Sequence, residues 1–138
     1  MQTVGKTASG DYQVGVRRTV PVTVEAAWSF MTSSEGVALW LGKIEQHAIH
    51  ASEIYETAEG TTGTFRMLNE HVNIRLTWQP PHWDKASLLQ IRTIPAANGK
   101  TTISFHQEHL RDAECREEMK AHWTAVLAAI QHQLKLNE

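Results

Sequence analysis

A single cysteine, Cys115, stands among 138 residues. No internal disulfide can form, and nothing calls for an oxidising compartment. Positive charge is not in excess either. Lys and Arg number 13 against 15 Asp and Glu, a net charge of −2 with His neutral. Nothing there would neutralise a run of phosphates, so nucleic acid is not an expected partner. No apolar run nears the roughly 20 residues that a membrane span needs. The opening residues 1–11 are polar and lack the apolar centre of a signal peptide. These absences together lead us to expect a cytoplasmic protein. Internal repeats, low-complexity tracts and linkers are missing as well. What is present is 41% hydrophobic and 20% charged, ordinary for one soluble domain with a real core. Five tryptophans are more than expected in a chain this short. They are core, or they wall a cavity.

The last stretch, 111–136, organises the rest. Cys115, Met119, Trp123, Val126, Leu127, Ile130 and Leu134 fall on one helical face. Arg116, Glu117, Lys120, Thr124, Gln131 and Lys135 fall on the other. Asp112 stands where an N-cap belongs, and Glu114 follows in the first turn, where the helix dipole favours a carboxylate. No Gly or Pro interrupts the run. At 1.5 Å per residue the rod is about 39 Å long. It needs a broad apolar surface to lie against.

Strands supply that surface. Tyr12, Val14, Val16, Val20 and Val22 alternate with Gln13, Gly15, Arg17 and Thr19, which predicts a half-buried strand. Arg18 falls on the apolar face. Either a bulge or strand end turns it outward, or it is a polar group aimed inside; the cost of burying an unpaired charge favours the first. Two short helices follow. Thr23 caps one that carries Ala27, Trp28 and Met31, and Thr32 with Glu35 has capping-box spacing for one that ends at Gly42. Residues 43–52 carry no clear period. Strands are then expected over 54–58, 62–68 (Phe65 and Met67 on one face), 71–79 (Val72, Ile74, Leu76 and Trp78 inward), 86–94 and 101–110. Asn98-Gly99 marks a two-residue hairpin turn. In the last strand Ile103, Phe105, Gln107 and His109 share a face. A run of strands and then a helix argues for an α+β fold with the helix on one sheet face.

The residues in this order resemble the helix-grip fold of the SRPBCC superfamily, which includes START lipid-transfer domains and the major birch pollen allergen. Within it the chain resembles the family of the carboxy-terminal domain of the activator of heat shock protein 90 ATPase. The residues that carry this are 20–32 with Trp28, 36–40 ending in Trp40, Gly60 and Gly63 before Phe65 and Arg66, 99–110 with Ile103, Gln107 and Glu108, and 119–127 around Trp123. The resemblance implies a curved antiparallel sheet wrapped around the long C-terminal helix in one domain over 12–138, while the small and polar residues of 1–11 are expected to form a flexible tail. It also implies space between sheet and helix for a ligand. Chaperone contact is the role the family name suggests.

Chemistry offers less. His47 and His50, and His106 and His109, are three apart; on a strand such residues point to opposite faces. His122 and His132 are too distant on a helix to chelate, so no metal is expected, and no cofactor. Cys115 lies on the apolar stripe and reads as a buried, inert thiol. No Gly-x-Ser-x-Gly elbow is present, and the 60–63 stretch is too short for a phosphate loop. Arg18, His109 and Gln107 are the polar groups that alternation sends inside. They suit the orientation of a ligand's carbonyl or hydroxyl as well as acid–base work. The expected site is therefore a ligand site: Trp40, Phe65, Met67, Trp78, Phe105, Met119 and Trp123 converging, with Arg18 and Gln107 as polar contacts. We expect a small hydrophobic or aromatic ligand and no catalysis. The alternatives are a cyclase- or hydrolase-like enzyme acting on a polyketide-like substrate, and a chaperone ATPase co-factor.

Overall fold

The computed structural model describes residues 11–46 and 49–136. The expected tail, apart from Asp11, lies outside the described residues, as does His47. Six strands form one curved antiparallel sheet: β1 (Tyr12–Val20), β2 (Ile54–Glu56), β3 (Thr62–Asn69), β4 (Asn73–Trp78), β5 (Ser87–Pro95) and β6 (Thr101–Leu110). Their order is β1-β6-β5-β4-β3-β2. Helices α1 (Val24–Thr32) and α2 (Ser34–Trp40) follow β1, and α3 (Ala113–Leu136) closes the chain. No helix among the described residues is long and apolar enough to cross a membrane.

Local chemistry explains the elements. Thr23 Oγ1 accepts from the Ala26 amide at 3.2 Å and starts α1. Ser33, rather than the expected Thr32, caps α2: its Oγ accepts from the Gly36 amide at 3.0 Å. Thr32 is occupied elsewhere, its hydroxyl donating back to the Trp28 carbonyl at 2.9 Å. A side chain at Gly36 would collide with the Phe30 carbonyl, so glycine lets α2 fold back tightly on α1. Asp112 Oδ1 accepts from the Cys115 amide at 2.7 Å and opens α3. Asn98 and Gly99 both have positive φ, 61° and 73°, but the turn is longer than the expected two residues: a 3-10 turn over Ala97–Gly99 joins β5 to β6, closed by the Ala96 amide donating to the Lys100 carbonyl at 2.9 Å.

Helix α3 lies on the sheet with Cys115, Trp123, Val126, Leu127, Ile130 and Leu134 buried beneath it. Its polar flank is tied to edge strand β1 at both ends. Arg116 Nε donates to the Gln13 carbonyl at 2.8 Å, and Gln131 Nε2 donates to the Thr19 carbonyl at 2.9 Å. Such cover blunts an edge that could otherwise pair with another chain.

Several strand expectations need correction. The one over 54–58 stops at Glu56, because the Ala58 amide turns away to the Lys43 carbonyl and the Thr57 amide to the Thr61 carbonyl. In β3 the register against β4 shifts between Phe65 and Met67. The extra residue reverses the side-chain parity. Phe65 is buried while Met67 is 39% exposed and turned out. Val72 is exposed too, in the turn that precedes β4. His109 has φ of 67°, which breaks the pleat and gives the inward position to Leu110. Arg18 needs neither bulge nor strand end. It stays in register opposite Ile103 and, half-buried, donates from Nη1 to Gln131 Oε1 at 3.1 Å.

Candidate ligand site

Trp123 sits in the middle of α3 and is fully buried. Its ring stacks on Phe105 of β6 at 5.0 Å between centroids and leans on Trp78 of β4 at 5.4 Å. Trp40 of α2 reaches Phe105 edge-on at 6.5 Å. Four of the expected aromatic residues therefore form one chain of rings between sheet and helix. Each ring of this size removes roughly 150–250 Å² from water.

A polar ladder runs through them. Trp123 Nε1 donates to Gln107 Oε1 at 2.7 Å, Gln107 Nε2 donates to Ser87 Oγ at 2.9 Å, and Ser87 Oγ donates to the Trp78 carbonyl at 2.7 Å. Trp40 Nε1 donates to the Met31 carbonyl at 2.8 Å. Both of these buried indoles have acceptors. Trp78 does not: its residue is 6% exposed and its Nε1 is buried without a hydrogen-bond partner among the described residues. Leaving such a donor unpaired costs about 1–3 kcal/mol.

The surroundings of that N–H are aromatic. Trp83, in the loop after β4, packs edge-on against Trp78 at 5.4 Å. His122 of α3 lies 6.0 Å from the Trp78 ring and 4.5 Å from that of Trp123. The imidazole shows one side to solvent, but the indoles desolvate the other, and this burial lowers its pKa from 6.5. Met119, half-buried, packs on the same core one helical turn earlier. A groove of about 140 Å³ opens beside Trp83, lined also by Asp84, Lys85, His109 and Arg111.

Other expected members lie apart. Phe65 is buried but pairs with Tyr55 at 4.9 Å. Met67 faces outward, and Arg18 sits against the C-terminal turns of α3. His109 is outside as well, its Nδ1 2.9 Å from Asp11 Oδ2. Cys115 is buried, and burial pushes its thiol pKa up. A separate, mostly apolar groove of about 330 Å³ runs along α2, lined by Val37, Ala38, Ile44 and Ile49 among others. Trp83, Ser87 and His122 escaped the sequence analysis as site residues. Trp83 lies in a loop, where no periodicity marks direction. His122 precedes Trp123 on the helix, and that adjacency was its one signal.

The family model described as Activator of Hsp90 ATPase homolog 1-like protein matches residues 21–135. The chain belongs to this family. A search of curated proteins finds no match to the sequence. Solved structures of the same helix-grip fold are numerous. DynU16, a protein in the dynemicin biosynthetic locus, superposes with TM-score 0.81 at 16% identity, over 91% of this chain and 48% of its own. Protein MLL2253 from Mesorhizobium loti gives TM-score 0.78 at 18% identity, over 91% and 98%. PFC0360w, an HSP90 activator from Plasmodium falciparum, gives 0.75 at 16% identity, over 89% and 96%. Identities this low establish the shared fold alone, so the role of this family member has to be argued from its own site.

Proposed function

We propose that this protein binds a small apolar or aromatic molecule between the sheet and α3, against Trp78 and Trp123, and performs no reaction on it. The observation that carries the reading is the unpaired N–H of Trp78, buried within a set of aromatic rings. A ligand with a carbonyl, ether or hydroxyl oxygen satisfies that donor, and the rings of Trp78, Trp83 and Trp123 provide its apolar contacts. The groove beside Trp83 is the entrance, and Trp83 is the side chain that moves aside. Met119 lines the helix side. Gln107, already bonded at both ends, holds Trp123 in place. The acid–base alternative needed Arg18 or His109 inside, and each has a partner elsewhere.

The test is a titration, followed by tryptophan fluorescence, with matched pairs of aromatic ketones and their deoxygenated analogues. Trp78→Phe should weaken the ketone by about 3- to 10-fold, the worth of one hydrogen bond, and leave the analogue nearly unchanged. Binding by no member of the panel, or equal loss for both members of a pair, would overturn the proposal.

A second reading, a chaperone ATPase co-factor, draws on the family and on the HSP90 activator of matching length. It requires that the protein raise the chaperone's ATP turnover on mixing. An unchanged rate discards it.

A further inference from the structure

The sheet face turned away from α3 carries a polar patch over β1, β6, β5 and β4, and its rows follow from the register. Arg17 of β1, Ser104 of β6 and Arg92 of β5 lie side by side. In the next row stand Gly15, His106 and Gln90, with Arg75 of β4 opposite Gln90. Strand spacing of about 4.8 Å sets the backbones of Arg17 and Arg92 roughly 10 Å apart, with Ser104 between them. Gly15 contributes no side chain, and there the face sinks into a trough of about 350 Å³, lined by Gly15, Val16, Arg17, Gln90, Arg92, Ser104 and His106.

The arginines of this trough, and Arg75 beside it, have no carboxylate partner among the described residues, although the chain carries a net charge of −2. The nearby acid, Glu108, lies 3.6 Å from His106 Nδ1, and Gln13 Oε1 lies 3.1 Å from His106 Nε2. Gln90 Oε1 accepts from Asn73 Nδ2 at 3.4 Å, and the Gln90 amide nitrogen has no hydrogen-bond partner among the described residues. Two guanidinium forks, a hydroxyl and an amide N–H₂ thus border one concavity. Guanidinium matches phosphoryl oxygens two at a time.

We infer that this trough binds a small anion carrying one or two phosphoryl groups, held between Arg17 and Arg92 above Ser104. Its concavity and its volume, within the range of small-molecule sites, favour a small anion over an acidic protein segment. It lies on the opposite face of the sheet from Trp78, so it stands or falls independently of the ligand proposed there.

Calorimetry with inorganic pyrophosphate at low ionic strength tests it. The wild-type protein should bind, and less tightly as salt is added. Arg17→Gln and Arg92→Gln, both at exposed positions, should each lower affinity at least about tenfold, with melting temperatures near wild type. Arg111→Gln, at the rim by Trp83, should bind as wild type does. Absence of wild-type binding overturns the inference. So does an equal loss in Arg111→Gln, which would mean diffuse attraction, and so does an acidic peptide that displaces pyrophosphate at lower concentration, which would mean a protein-docking face.

Discussion

Gln107 uses both ends of its amide, accepting from Trp123 and donating to Ser87. Alternation alone sends it inward, and burial then demands partners. Gln107→Leu keeps much of the volume but leaves the Trp123 N–H without its acceptor. It should lower stability by about 1–3 kcal/mol in urea unfolding; a loss near zero would mean that the ladder is idle. His122 makes a second residue-level prediction. Burial lowers its folded pKa below 6.5, so as pH falls the unfolded chain takes up the proton first. The contribution is complete above about pH 6.5 and is lost as pH drops from there towards the lower folded value. Between about pH 7.5 and pH 5.5 the wild-type urea midpoint should fall further than that of His122→Gln. Equal falls would place the pH dependence on another group.

At the scale of elements, whatever follows a single period was readable in advance. The stripe of α3, its Asp112 cap and the hairpin turn at Asn98-Gly99 each follow from residues adjacent in sequence. What broke the period was not readable. A shift after Phe65 reverses the parity of β3, and a left-handed backbone at His109 does the same at the end of β6. Both depend on how a neighbouring strand is met, which local sequence does not encode. For the site, Phe105, Trp78 and Gln107 follow from strand alternation and Trp123 from the helical period of α3, with Trp40 at the end of a short helix, whereas Trp83 lies in a loop. The bulge makes a sharp pair of predictions. Phe65→Ala should cost about 3–5 kcal/mol, whereas Met67→Lys should stay within about 0.5 kcal/mol, both read from denaturant midpoints. A large loss in the second would return Met67 to the interior.

For the whole molecule, the sheet separates two chemistries. Its inner face holds α3 through rings and a buried amide, and its outer face presents arginines without carboxylate partners among the described residues. The family match explains the architecture, whereas the proposed ligand depends on the one N–H of Trp78. A ¹⁵N-labelled sample reports on it directly. The indole N–H signals of the five tryptophans can be assigned by single Trp→Phe variants, with Trp78→Phe identifying the one that matters. On addition of an aromatic ketone that binds, the account predicts a downfield shift of the Trp78 signal, while that of Trp40, bonded to the Met31 carbonyl, stays in place. A bound ketone that leaves the Trp78 signal unmoved would contradict it.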